Sequence, residues 1–208
     1  ARCAALAPRK KFHFKNKLYS FDSSVVDLCL SMFPWAKFRR TKGGIKLHTL
    51  LDHDGYLPAF VHITTAKVAD VTIARLLKLP AGSIIVMDRG YVDFSLFSQL
   101  HTENIQFVTR MKKGMRYKVV ERRDGNRAQG VTSDQTIQFT GAKAKNCATS
   151  LRRVGYRDAE TGQHYFFLTN AFELPAKCIA DIYKERWQVE LFFKWIKQNL
   201  KIKTDRKS

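Results

Sequence analysis

Ser83-Ile84-Ile85-Val86-Met87-Asp88 sets four consecutive apolar residues between the breaker Pro80-Ala81-Gly82 and an acid. So short an apolar run between turn signals predicts a short buried strand that ends at Asp88. Upstream, Val71 to Leu77 carries helical spacing, while Lys17 to Val26, Ile45 to Leu51 and Leu57 to Thr64 are rich in strand formers. The last two are joined by the turn Asp52-His53-Asp54-Gly55. Downstream, Phe94, Phe97 and Leu100-His101 predict a helix, and Ile105 to Thr109 a fifth strand.

The resulting order, three strands, helix, strand, helix, strand, is that of a ribonuclease H-like fold: α/β, with a mixed five-stranded sheet flanked by helices. Met111 to about Gln163 differs in character, being basic and rich in Gly, Thr and Gln with short alternating stretches such as Tyr117-Lys118-Val119-Val120 and Thr136-Ile137-Gln138-Phe139. It reads as a β-rich insertion of low core density. His164 to Thr169 returns to the body as a strand, and Pro175 opens one long helix running to about Leu200. The chain therefore divides into a basic N-terminal segment (1–16), the first part of the core (17–110), the insertion (111–163) and the last strand with the final helix (164–208). It starts at Ala1 without Met and ends on Lys201-Ile202-Lys203-Thr204-Asp205-Arg206-Lys207-Ser208 without a helix stop, so it is expected to be a truncated fragment.

Composition narrows the function. With 208 residues, 45% hydrophobic and 26% charged, the chain has the make-up of one packed domain. Its 37 Lys and Arg against 18 Asp and Glu leave a net charge of +19, which points to a polyanionic partner, most simply nucleic acid. No apolar run reaches the roughly eighteen residues of a membrane span. Cys3, Cys29, Cys147 and Cys178 show no paired spacing, so neither a zinc site nor a disulfide framework is indicated, and the thiols fit a reducing cytoplasm.

On the final helix Tyr183, Arg186, Glu190 and Lys197 follow one another at three, four and seven residues and share a stripe, joined by Lys194 and Lys201. Val189, Phe192, Phe193, Ile196 and Leu200 form the adjoining apolar stripe that must face the sheet. Alone, the polar stripe is equally compatible with a solvated face bearing a Glu190 to Lys194 pair. Asp22 in the first strand and Asp88 after the fourth strengthen the other reading, because those strands are neighbours in this topology and the helix crosses beside them. Three carboxylates are then expected to converge, and an oxygen-only set suits Mg²⁺ or Mn²⁺, two ions about 3.5 to 4 Å apart serving a phosphodiester.

Phe21-Asp22-Ser23-Ser24, Phe33-Pro34-Trp35-Ala36-Lys37-Phe38-Arg39, Gly44-Ile45-Lys46-Leu47-His48, Asp88-Arg89-Gly90-Tyr91, Phe107-Val108-Thr109-Arg110 and Tyr183-Lys184-Glu185-Arg186-Trp187-Gln188-Val189-Glu190-Leu191-Phe192-Phe193-Lys194 resemble the DDE transposases of bacterial insertion sequences, in particular the insertion sequence 4 family. The resemblance implies that Asp22, Asp88 and Glu190 are the metal-binding catalytic triad, and that Tyr183, Arg186 and Lys197 contact DNA near the cleaved phosphate. It further implies cleavage and strand transfer on double-stranded DNA, terminal inverted repeats and target alike. A homodimer bringing two element ends together and a nucleoid-associated, cytoplasmic location follow. Some relatives hold a flipped base with a Trp in the insertion; here the three Trp are Trp35, Trp187 and Trp195, so hairpin chemistry is not carried over.

Further DNA contacts are expected at Lys194, at Lys46 in the basic run with Lys37, Arg39, Arg40 and Lys42, at Arg89 beside Asp88, and at Arg110, which opens the basic insertion. Asp54 is read as a turn residue, Asp70 as a helix cap, and His48 and His62 as structural. Trp187, Leu191 and Trp195 form a second aromatic stripe. Two other readings stay open: a basic nucleic-acid-binding module whose acids are incidental, and an inactive transposase remnant.

Overall fold

The apolar run is strand β5 (Ile84–Met87), with all four residues buried. Its alternate side chains enter different cores: Ile85 and Met87 pack with Phe21, Phe97 and Phe107, while Ile84 and Val86 pack with Val108, Ile179 and Ile182. β5 is therefore a central strand covered on both faces, as its sequence requires. The computed structural model describes residues 12, 15–28, 37–39, 42–142 and 144–199. The side chains of Lys37, Arg39, Arg40, Lys42, Leu200 and Lys201, and nearly all of the basic segment 1–16, lie outside the described residues.

β5 pairs in parallel with β1 (Leu18–Leu28) on one side and β6 (Gln106–Arg110) on the other. β1 pairs antiparallel with β3 (Lys42–Asp52). β3 in turn pairs with the short β2 (Lys37–Arg39) and with β4 (Leu57–Thr65), the latter across the turn that holds Asp54 and Gly55.

Two expectations are corrected. The sheet has ten strands rather than five: β10 (His164–Thr169) pairs with β6, and β9 (Leu151–Arg157), β8 (Val131–Phe139) and β7 (Tyr117–Arg123) follow outward in that order. The region 111–163 thus extends the main sheet, because β10 offers β9 its second edge. Nor is it poor in core. Val131, Ile137, Phe139, Leu151, Val154 and Tyr156 are buried and divide between the two faces. Its many basic residues occupy the exposed alternate positions and mask the inner apolar ones in any average of composition.

On one face lie helices α1 (Asp70–Ala74) and α2 (Phe94–Thr102). Asp93 caps α2 by accepting a hydrogen bond from the Leu96 amide at 2.8 Å. The other face carries α3 (Ala176–Glu185) and α4 (Trp187–Asn199). The single helix expected from Pro175 to Leu200 is therefore two. At the break the Arg186 amide donates to the Tyr183 carbonyl and the Val189 amide to the Arg186 carbonyl, a tightened i to i−3 turn. The break lets α3 pack on β5 and β6 while α4 packs on β1 and β3, where Val189 and Phe193 meet Leu47 and Leu51.

A buried ion pair locks the outer strands to the segment before α3. Arg152 on β9 donates to both carboxylate oxygens of Asp134 on β8, at 2.9 and 2.6 Å. Its remaining nitrogen donates to the carbonyls of Ala171, Phe172 and Leu174.

Candidate active site

Phe21 of β1 stands opposite Met87 of β5, so the next residues, Asp22 inside β1 and Asp88 just past the end of β5, lie side by side on neighbouring parallel strands. Asp22 is tied to the α3–α4 break: its Oδ2 accepts from Arg186 Nη1 at 3.2 Å, and the other terminal nitrogen of Arg186 reaches Glu190 Oε1 at 2.6 Å. The backbone carbonyl of Asp88 accepts from Thr109 Oγ1 at 2.9 Å. Its carboxylate caps the one-turn helix Arg89–Tyr91 by accepting from the Gly90 amide.

Three acids predicted from the sequence thus gather at one rim of the sheet, but not at one point. Among the described residues no three His, Cys, Asp or Glu side chains stand within joint coordinating reach of an ion. The physical reasons are local: the Arg186 guanidinium lies between Asp22 and Glu190, and the Asp88 carboxylate folds back onto its own turn. The electrostatics nevertheless couple them. Burial raises the Asp22 pKa to about 6, and Asp88 and Glu190 add to that rise, against the Ser23 amide and Arg186. A carboxyl so reluctant to ionise gains from a cation, and a set of carboxylate oxygens is suited to a hard divalent ion. The three carboxylates are thus the donor type such an ion takes, although here they do not share one coordination position.

Lys194 and Lys197 line an open groove of about 360 Å³ with Asp22, Ser23 and Glu190. On the other side of Arg186 lies a second pocket of about 230 Å³, walled by Arg110, Tyr165, Tyr183, Lys184 and Trp187. There Arg110 sits 4.8 Å above the Tyr165 ring, and Tyr183 packs on Phe167 at 5.0 Å. Lys184 pairs with Asp158 at 2.9 Å, which with the Glu160 and Thr161 amides holds that carboxyl down at about 2.

The expected DNA contacts are placed unevenly. Tyr183, Arg186 and Arg110 share the second pocket, Lys194 and Lys197 share the groove, and Arg89 is exposed beside Asp88. Lys46 is spent inside the fold, donating to the Val68 carbonyl at 2.8 Å and pairing with Asp70 at 3.1 Å. Asp70 is not a cap, since the cap position belongs to Ala69; its carboxylate accepts from the Ser23 hydroxyl at 2.7 Å. Sequence reading missed this link, as it missed Lys184 and Tyr165; nothing in their spacing marks them. His48 is structural as expected: it is fully buried, its ring bonds Thr64 Oγ1 at 2.9 Å, and burial holds its pKa near 4.

Gly90 gives one sharp expectation. A Cβ there would stand 2.6 Å from Asp88 Oδ1, with no other group nearer than the carboxyl carbon at 3.7 Å. Gly90→Ala should therefore change thermal stability little, because only one flexible side chain must move. That side chain is a member of the acid set, so any activity dependent on it should fall about 10- to 100-fold. A variant with wild-type activity would show that the Asp88 carboxylate is not held in a required position.

Comparison with known proteins bears on this arrangement. The family description "Transposase DDE domain" matches residues 14–208. The chain is 36% identical over 174 residues to a putative transposase of Sinorhizobium fredii, covering 82% of this chain and 49% of that protein. It is 32% identical over 199 residues to a probable transposase for insertion sequence element IS5377 of Geobacillus stearothermophilus, covering 94% of this chain and 52% of that protein. The chain spans about half the length of these curated relatives. Among solved structures it resembles the piggyBac transposase of a synaptic complex with hairpin DNA, with a TM-score of 0.51 and 10% identity over 92% of this chain and 42% of that one. At that identity the likeness is one of fold.

Proposed function

The chain belongs to the transposase DDE domain family, and from that premise we propose that it is the catalytic part of an insertion sequence 4-type transposase that cleaves and joins DNA at the ends of its element. The reading rests above all on one observation: Asp22, Asp88 and Glu190 come to one rim of the sheet from β1, β5 and α4, flanked by Arg186, Lys194 and Lys197. The strand order β4-β3-β1-β5-β6 supports a ribonuclease H-like core at its centre.

In this reading Asp22, Asp88 and Glu190 hold two Mg²⁺ or Mn²⁺ ions. When bound, such ions activate a nucleophilic water or 3′-hydroxyl and neutralise charge building on the leaving oxygen. The protein's own part is binding and orientation. Arg186 lies between the acid rim and the pocket of Arg110 and Tyr183, so its guanidinium can pair with a backbone phosphate entering from that side. Lys194 and Lys197 offer positive charge along the groove that leads to the acids. The largely enclosed setting of Arg186 and Asp22 strengthens their interaction, whereas Lys194 and Lys197 are exposed and act through screened charge.

Double-stranded DNA is the partner that the net charge of +19 favours. Joining two element ends in one event calls for a homodimer, and such a protein works on the bacterial nucleoid. Among the described residues no helix is long and apolar enough to cross a membrane.

The test is a nicking assay on supercoiled DNA carrying the element's terminal repeats, with Mn²⁺, Mg²⁺ or a chelator. Cleavage that requires the divalent ion is the expected result. Salt-sensitive DNA binding without cleavage would instead favour the non-catalytic basic module.

A further inference from the structure

A cavity of about 310 Å³ lies where β7 turns back into β8, walled by Arg122, Arg123, Arg127, Thr132 and Gln135. Arg123 is spent within the fold: it pairs with Glu121 at 2.9 Å and reaches Asp134, whose carboxylate already holds Arg152. Arg122 and Arg127 are different. Both are exposed, and neither meets a carboxylate among the described residues. The remaining acid of the cavity, Asp124, is itself exposed.

Strand register sets this cavity at the same end of the sheet as the acids. Val86, Val108, Thr169, Arg152, Thr136 and Glu121 form one row across β5, β6, β10, β9, β8 and β7. Two residues nearer the rim the row reads Arg110, Phe167, Val154, Asp134 and Arg123, and Asp88 lies two residues past Val86. Five strand spacings, about 24 Å, therefore separate Asp88 from Arg123. The interval is bridged by Arg157, which is exposed and also meets no carboxylate. Its neighbours Tyr156 and Asp158 line the pocket of Arg110 and Arg186, where Asp158 is neutralised by Lys184. Its amide donates at 2.8 Å to the carbonyl of Gly130, which ends the one-turn helix opened by Arg127. Arginines strung along one sheet end without balancing acids suit the backbone of a polyanion better than a solvated face.

We propose that Arg122, Arg127 and Arg157 form a second phosphate-binding surface, which grips duplex DNA running along the sheet end from the acid rim past Arg110. At about 3.4 Å of rise per base pair, the cavity lies about seven base pairs from a phosphate at the acids. The proposal rests on the reading of the acid rim as a site that acts on DNA. Contacts of this kind position the duplex and carry no sequence information.

The experiment is fluorescence anisotropy in chelator with random-sequence duplexes of about 8 and about 24 base pairs, over a range of KCl concentrations. Wild type is compared with Arg122→Ala/Arg127→Ala, Arg157→Ala and Arg186→Ala. A fourth variant, Lys118→Ala/Lys145→Ala, removes the same charge from exposed positions at the opposite end of the sheet. On the longer duplex Arg122→Ala/Arg127→Ala should bind about tenfold more weakly, and its slope of log affinity against log salt should be shallower by about 2; Arg157→Ala should lower the slope by about 1. On the short duplex, which cannot span from the acids to the cavity, the losses should stay within about twofold. Equal losses on both lengths, or losses matched by Lys118→Ala/Lys145→Ala, overturn the proposal. Unchanged binding by Arg122→Ala/Arg127→Ala beside weakened binding by Arg186→Ala also overturns it and leaves the DNA reading of the acid rim standing. No binding of either duplex by wild type overturns both.

Discussion

Asp22→Asn, Asp88→Asn and Glu190→Gln are each expected to reduce divalent-dependent strand cleavage by at least about a thousandfold, because in the proposed function each amide replaces a charged ligand while keeping its shape. Several kcal/mol of transition-state stabilisation depend on that charge, and each 1.36 kcal/mol is about a factor of ten in rate. DNA affinity should stay near wild type, since the basic residues proposed to meet phosphate are untouched and one repelling negative charge is removed. Asp22→Asn is the most telling of the three. Arg186 keeps its 2.6 Å partner Glu190 in that variant, so the local fold retains an ion pair while the half-buried carboxylate is gone. Cleavage of element ends by any of these variants at the wild-type rate in Mg²⁺ would remove that residue from the triad.

The largest effect on stability is expected at Arg152. Its truncation in Arg152→Ala strands the Asp134 carboxylate, which is buried beside it, and deprives the carbonyls of Ala171, Phe172 and Leu174 of a donor. Breaking a buried, hydrogen-bonded ion pair by removing one partner costs about 3–5 kcal/mol, and urea unfolding should show a loss of that size. Arg123, 3.4 Å from the same carboxylate and one-third exposed, is too distant and too wet to take over. The double variant Arg152→Met with Asp134→Leu should recover only part of the loss, because the three carbonyls stay unpaired. Full recovery would mean that the ion pair, and not the carbonyl bonds, holds the segment before α3.

Strand β5 and Asp88 could be read directly from the chain, because a buried strand writes itself as an unbroken apolar run that stops where an acid follows, whereas Asp22 lies in the middle of β1 among polar residues and carries no such mark. The stripe from Tyr183 to Lys197 was legible for a similar reason, helical spacing being a local property. The break at Arg186 was not: a single tightened turn hardly disturbs the period, and its cause is the pair of separate surfaces that α3 and α4 cover. Lys46 and Asp70 could not be paired from sequence, since they meet only after β3 and α1 have been brought together by the sheet. Composition also hid the inner faces of β8 and β9, where averaging sums polar outward positions with apolar inward ones.

The continuity of β10 with β9, β8 and β7 bears on any attempt to pare this protein down to a minimal catalytic unit. Excising 111–163 would strip β10 of its neighbour and leave a naked row of amide and carbonyl groups, while opening the interior behind Val154 and Ile137. An uncovered apolar border of that kind recruits other chains and precipitates. A shortened variant would need a charged or proline-bearing strand grafted onto that border before it could remain in solution.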